Sequence, residues 1–279
     1  MVTEPLHVGV DYLTATLNFD EGFYFYTIVK NIKRLPIFAE CEERPWRFYG
    51  YNGFVLLAGN AGHLAYGDHN YNGHIIQLSG EFALRFWLQF VNVATNVSRI
   101  DLKVDSKLDV PNEDLALGYY EEAVQRDLHT QRKYSVVMSA KAGETLYVGA
   151  RSSDQFGRVY DKTAQTKEYD SLGTVWRFEV EYKRSKAKAI AGELAARANV
   201  RPVEMFAQDI VATVFDWFDC RGVPPTFHRK GQGMIAQSAQ IDANMGKMRW
   251  LRMQVSPSVK SLLSRGKGEE VICYYRSHA

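Results

Sequence analysis

Three segments of this chain alternate charged and apolar residues with a period of two, and each gathers its charges on one side. In Ser98–Asp105 one side holds Arg99, Asp101, Lys103 and Asp105, and the other Ile100, Leu102 and Val104. In Arg158–Lys162, Arg158, Tyr160 and Lys162 share a side. In Trp176–Tyr182, Arg177, Glu179 and Glu181 oppose Trp176, Phe178, Val180 and Tyr182. Successive side chains of a strand point to opposite faces, so each segment predicts a strand with one core face and one charged face. A solvated sheet face alternates in the same way, and a single such strand would mean no more. Three of them, two mixing acids with bases and one carrying a tyrosine between Arg and Lys, point to a site.

The rest of the chain reads as α+β. The opening His7–Thr16 alternates and is rich in β-formers. Asp20–Ile32 reads as an amphipathic helix, Trp46–Ser79 as antiparallel strands joined by Gly/Asn turns, and Glu81–Thr95 as a helix packed on a sheet. Asn112–His129 is predicted helical, with Pro111 ahead of a candidate cap at Asn112. Tyr134–Met138, Thr145–Ala150 and Gly157–Lys162 read as strands. After Ser185 the character turns helical: Lys186–Ala198, Val203–Phe218 and, beyond a polar stretch with Pro224-Pro225 and Gly231-Gln-Gly233, Met245–Leu263 interrupted at Pro257. The expectation is a large, curved, mostly antiparallel sheet with helices on one face. Residues 1–185 form the catalytic region and 186–279 a helical portion completing the same domain. No internal repeat is visible in the sequence.

Composition narrows the function classes. The 279 residues are 46% hydrophobic and 24% charged, so a folded core is expected. No apolar run approaches the roughly 18 residues that span a bilayer. The start, Met1–His7, lacks a basic stretch followed by an apolar one, so no secretory leader is expected. Cys41, Cys220 and Cys273 are distant and odd in number, which speaks for reduced thiols in a cytoplasm. Residues 1–140 hold 12 Lys and Arg against 17 Asp and Glu, whereas residues 141–279 hold 22 against 15. The basic second half suits a phosphate backbone. No His-Glu-x-x-His, Gly-x-Ser-x-Gly or Gly-Lys-Ser/Thr phosphate loop occurs, nor a His-hydrophobe-His pair. The common zinc hydrolases, serine hydrolases and NTPases are therefore disfavoured.

The charged faces suit phosphodiester chemistry. A tyrosine can attack a phosphate and remain attached, dividing a hard step into two. Arg binds phosphate oxygens bidentately, and carboxylates hold Mg²⁺ or Mn²⁺. Tyr160 is the candidate nucleophile, with Arg158, Lys162 and Arg177 beside the phosphate. Asp101, Asp105, Glu179 and Glu181 are the candidate metal ligands. Asp101 and Asp105 are four residues apart, about 13 Å at ~3.3 Å per residue. One of them should therefore join Glu179 at the metal while the other orients an arginine or the substrate. Arg99, Lys103 and the polar turn Arg151, Ser152 and Ser153 are candidate DNA contacts, although that turn also reads as an ordinary hairpin. Tyr182 is the rival nucleophile, placed by alternation on the apolar face. Tyr147, sharing a face with Gly149 and Arg151, is a third option.

Seven stretches in series resemble the replication initiation factor family. They are Val8–Thr14, His74–Gly80, Val97–Asp105, Thr145–Ser153, Arg158–Lys162, Trp176–Glu181 and Trp250–Pro257. The resemblance implies a sequence-specific, metal-dependent nickase and ligase acting through a 5′-phosphotyrosyl bond. Such an enzyme initiates rolling-circle replication or conjugative transfer of a plasmid or phage in a bacterial cytoplasm. It implies single-stranded or supercoiled origin DNA as partner, a 3′-hydroxyl handed to a host polymerase, and a host helicase; a homodimer stays open. It puts the nucleophile in the segment matching Arg158-Val-Tyr-Asp-Lys162, with Tyr182 kept as the alternative. The extra N-terminal DNA-binding domain of some members is not expected here. A binding module that has kept the fold without the chemistry is the competing reading.

Overall fold

A computed structural model describes residues 5–36, 41–59, 62–70, 72–107, 115–126, 133–139, 143–165, 174–223 and 233. Its core element is a ten-stranded sheet in which every neighbouring pair is antiparallel. The chain runs β1 (Pro5–Leu17), α1 (Gly22–Lys33) after a short 3-10 turn, β2 (Glu42–Phe48), β3 (Tyr51–Leu57), β4 (His63–His69), β5 (Gly73–Ser79) and α2 (Glu81–Val91). It continues β6 (Asn96–Lys107), α3 (Leu115–Arg126), β7 (Tyr134–Ser139), β8 (Gly143–Val148), β9 (Gln155–Asp161), β10 (Val175–Lys183), α4 (Arg184–Ala198) and α5 (Val203–Asp219). The α+β architecture expected from the sequence is the observed one, with the sheet open rather than closed. The Asn112 cap, Pro111, the Arg221–Ala243 connection beyond Val223 apart from Gly233, and the Met245–Leu263 helix fall outside the described residues. So does the whole of a second compact unit, Ser238–Ala279.

The strand order is β2-β3-β4-β5-β1-β6-β10-β9-β8-β7. Read outward from the central pair, it shows a repeat of connectivity that the sequence does not display. β1, α1, β2–β5 and α2 trace the same path as β6, α3, β7–β10 and α4. The two paths meet at antiparallel β1 and β6, so the sheet has approximate two-fold topology about that pair.

The helices cover one face. Phe25 of α1 packs on Phe90 of α2, Tyr119 of α3 on Phe178 of β10, and Phe215 and Phe218 of α5 on the same Phe178. Ile190 and Leu194 of α4 join this core, together with Ile100, Leu102, Val104, Trp176, Val180 and Tyr182 of the strands. Burying such aliphatic and aromatic side chains is the main stabilisation of a sheet-and-helix layer, about 25 cal/mol per Å² removed from water. The period-two alternation then forces every intervening residue of β6, β9 and β10 onto the opposite face.

Candidate active site

On that opposite face the central strands stack charge against charge. The registers place Asp105 beside Arg177, Lys103 beside Glu179, and Asp101 beside Glu181, while Arg177 lies beside Tyr160 and Glu179 beside Arg158. Three sequence segments far apart in the chain thus form one contiguous patch on β6, β10 and β9.

Tyr160 lies at its centre. It is 7% exposed, and its hydroxyl donates to Glu179 Oε2 at 3.1 Å. Burial first, then the charge of Glu179, pushes this hydroxyl well above the ordinary tyrosine range. Arg177 and Arg158 act in the other direction, because they favour a phenolate. Arg158 Nη2 donates to the other oxygen of Glu179. One carboxylate is therefore shared between a tyrosine and an arginine, with a proton acceptor already aligned on the candidate nucleophile.

Arg177 is held by a two-pronged pair with Asp105, Nε to Oδ1 at 2.5 Å and Nη2 to Oδ2 at 2.8 Å. Its third nitrogen, Nη1, reaches Asp11 Oδ1 at 3.2 Å. The fork geometry fixes the guanidinium plane beside Tyr160. Asp105 is thereby occupied as the orienting partner of Arg177. Asp101 is bound in the same two-pronged way by Arg99, at 2.9 and 2.6 Å, and Arg99 also reaches Glu181 at 3.1 Å. Glu181 in turn pairs with Lys183 at 2.5 Å.

Two members of the site were not assigned a role from the sequence. Asp11 accepts from Lys103 at 2.9 Å as well as from Arg177. Burial alone would raise its carboxyl, but Arg177 and Lys103 outweigh burial and hold it below the ordinary range. Tyr12 lies under the Arg99 guanidinium, 4.2 Å from ring centroid to Cζ. Strict alternation would place Asp11 and Tyr12 on opposite faces. A register shift between Val10 and Tyr12 in the β1–β6 pairing brings both to the charged face, as a bulge does when it inserts a residue into one strand. The sequence signals were an acid inside an otherwise apolar β-rich stretch and the place of both residues in Val8–Thr14, the first of the seven family-like stretches.

The remaining candidates divide. Arg99 and Lys103 lie in the network, paired to carboxylates. Lys162 follows β9, and burial, then the charge of Arg177, pushes its ammonium down. In the turn after β8, Ser153 donates within the turn, to the carbonyls of Ala150 (2.7 Å) and Gln155. Arg151 lies over the stacked rings of Tyr147 and Phe156, 5.6 Å from each. Ser152 is exposed beside it. Tyr182 is buried on the helix side with Phe178 and Val180, and burial pushes its hydroxyl up.

A divalent metal fits part of this set. Asp101 is 1% exposed, and its carboxyl is pushed up to about 8 by burial, with Glu179 and Glu181 adding to the shift and Arg99 opposing it. Both Asp101 oxygens accept from Arg99, so a cation there would share this carboxylate with the guanidinium. Among the described residues no three His, Cys, Asp or Glu side chains converge as a ready-made cage. One or two carboxylates completed by substrate phosphate is, however, the usual arrangement for Mg²⁺. Asp101 with Glu179 or Glu181 fits that requirement.

No helix among the described residues is long and apolar enough to cross a membrane. No curated protein sequence matches the chain. The fold resembles a solved structure of a rolling circle replication initiator protein from Geobacillus stearothermophilus. The TM-score is 0.52 at 19% identity, over 75% of this chain and 85% of that one. The family model for replication initiation factors matches residues 95–272, a span that contains β6, β9, β10 and most of the charged patch. This chain belongs to the replication initiation factor family.

Proposed function

We propose that the chain nicks one strand of origin DNA with Tyr160 and rejoins it, initiating rolling-circle replication or conjugative transfer of a plasmid or phage. The observation that carries the reading is the hydrogen bond from Tyr160 to Glu179 inside a face bearing Arg158 and Arg177. The Tyr160 hydroxyl gives its proton to Glu179, and the phenolate oxygen attacks the scissile phosphorus. The bond to the 3′-oxygen breaks, and that oxygen takes up a proton, the one Glu179 has received or one from solvent water, leaving a 3′-hydroxyl and a 5′-phosphotyrosyl link. Rejoining runs the same steps backwards, with the 3′-hydroxyl as nucleophile. Arg158 and Arg177 face the charge that builds on the non-bridging oxygens, where fixed donors contribute most. Asp105 keeps Arg177 in plane. Mg²⁺ or Mn²⁺ held by Asp101 with Glu179 or Glu181 supplies Lewis-acid polarisation of the phosphate when bound. Asp11 and Lys103 complete the charge balance under the substrate. The extended partners of this reading are a host polymerase and a helicase in a bacterial cytoplasm.

The test is a covalent adduct. Purified protein is incubated with single-stranded or supercoiled DNA carrying its element's origin and Mn²⁺, then run on a denaturing gel and mapped by peptide mass. An adduct on Tyr160, lost in Tyr160→Phe while DNA affinity stays within about twofold, supports the reading. An adduct on Tyr182 keeps the reaction and overturns the nucleophile. Binding without nick or adduct under either metal moves the function to a non-catalytic DNA-binding module.

A further inference from the structure

The carboxylates of the charged patch neutralise most of its cations. Arg99, Lys103, Arg158, Arg177 and Lys183 each pair with an Asp or Glu of the same face. A cation already neutralised adds little to the attraction of a polyanion, because that attraction comes from charge that replaces the polyanion's counterions. Arg151 differs from these five. It is exposed in the turn after β8. Among the described residues its guanidinium is matched to no carboxylate and lies instead over the rings of Tyr147 and Phe156, 5.6 Å from each centroid.

Both rings stand on the catalytic face. Tyr147 is paired with Arg158, and Thr145, two residues before it, with Tyr160. Phe156 is paired with Glu181. Phe156 and Tyr160 are four residues apart on β9, about 13 Å at ~3.3 Å per residue. The two rings stack, with centroids 5.7 Å apart and planes at 20°, and form a floor for the guanidinium. The turn itself is tied down on both sides. Ser153 donates to the carbonyls of Ala150 and Gln155, and the Gly149 N–H donates to the Lys133 carbonyl at 2.7 Å. The Lys183 ammonium donates to the carbonyl of Arg151 itself. An uncompensated cation is thus held in place beside the nucleophile's strand, and a side chain ordered in advance loses less freedom when it binds.

We propose that Arg151 binds a backbone phosphate of the DNA that flanks the phosphate attacked by Tyr160, and so positions the strand across the site. The proposal rests on the nicking reading. A guanidinium presents a planar fork of N–H donors that matches two phosphate oxygens. The rings below leave the edges of that fork open, and the hydroxyl of Ser152, exposed beside it, adds a donor. At about 13 Å from Tyr160 along β9, Arg151 touches a neighbouring phosphate and not the scissile one. It is therefore a positioning residue. Such a contact carries no base information; it fixes the register of the strand on the protein.

Anisotropy with a labelled oligo(dT) and with a labelled duplex of the same length, at several salt concentrations and without divalent metal, tests it. Each phosphate neutralised adds about 0.7 for a single strand, or about 0.9 for a duplex, to the slope of log affinity against log salt. Arg151→Met keeps an apolar chain over the two rings and removes the charge. It is expected to lower the slope by about one phosphate and to weaken binding at low salt by about tenfold. Arg151→Lys keeps the charge and should keep the slope; circular dichroism confirms that both variants are folded. A smaller slope with oligo(dT) alone places a single strand at Arg151, with the duplex alone a paired segment, and with both a phosphate common to the two. On an oligonucleotide carrying the element's origin, a neutral methylphosphonate at one flanking position should weaken binding to the wild-type protein and not to Arg151→Met. Equal slopes for Arg151→Met and wild type with both DNAs, no binding of either DNA by the wild type, or the same methylphosphonate penalties in both proteins overturns the proposal. None of these readouts requires nicking, so the phosphate contact and the Tyr160 chemistry fail distinguishably.

Discussion

The two halves of the sheet follow one connectivity and carry opposite chemistry on the same face. From the central pair into the second half, one row of directly paired residues reads Asp105, Arg177, Tyr160, Thr145 and Val137. From Arg99 into the first half, a corresponding row reads Thr14, Gln77, Ala65 and Val55. The first row packs carboxylate, guanidinium and phenol into a buried network. The second holds neutral polar and small side chains. Ser79 and His63 beside it hydrogen-bond to each other at 2.8 Å. Topology therefore does not make the site; charge placed on a given scaffold face does. The first half has a buried ring nitrogen without a hydrogen-bond partner, Nε2 of His74, but on the helix side.

The largest expected effect breaks the contrast at its centre. Glu179→Gln removes the group that takes the proton of Tyr160 and a candidate metal ligand. Nicking should fall by about 10²–10⁴-fold, as for loss of a positioned general base, and the Mn²⁺ titration midpoint should rise. An unchanged rate in a single-turnover nicking assay would remove Glu179 from the chemistry.

Next in size is Asp105→Asn. It leaves the buried Arg177 without its two-pronged carboxylate partner, and breaking a buried pair on one side costs about 3–5 kcal/mol. Urea unfolding should show this loss; a change below ~1 kcal/mol would mean that Asp11 alone suffices to hold the guanidinium.

The pH dependence of stability sharpens the comparison further. Asp101 has its folded value pushed up to about 8, against 3.8 for the unfolded group. Between about pH 4 and pH 8 the folded state therefore holds a proton that the unfolded state has lost. Asp101 accordingly makes stability fall as pH rises through that window, and contributes no further slope above it. Asp101→Asn should flatten this part of the curve in chelator-treated protein, measured by urea midpoints at several pH values. A slope equal to wild type would place the titration elsewhere.

The smallest effect is expected in the neutral half. Gln77→Ala, across the central pair from the charged patch, should leave the nicking rate within about twofold. A loss comparable to that of Glu179→Gln would show that the two halves share the chemistry despite their contrast.

Much of this was legible in the sequence because alternation is a local property. The patterns in Ser98–Asp105, Arg158–Lys162 and Trp176–Tyr182 fixed which side chains share a face of each strand, and hence that Tyr182 belongs with Phe178 and Val180. Helix positions followed from apolar periodicity, so α2 and α5 begin where expected. Strand rise alone placed Asp101 and Asp105 too far apart to share one ion; that each is held by a different arginine, Arg99 and Arg177, came only with the side chains in place.

Other features depended on which strands are neighbours. The repeat of connectivity has no counterpart in residue identity, because a fold constrains burial and turns more than it constrains individual side chains. Asp11 and Tyr12 entered the site through a bulge, a deviation from the very alternation that located the rest. That Ser153 closes its own turn is a matter of side-chain direction, not spacing. Arg151 meets Tyr147 and Phe156 only once β8 pairs with β9 and the turn between them closes. Sequence thus determined the faces of each strand, since pleating is set by neighbours in the chain. Tertiary structure decided which faces meet, since hydrogen-bonded register joins residues far apart in it.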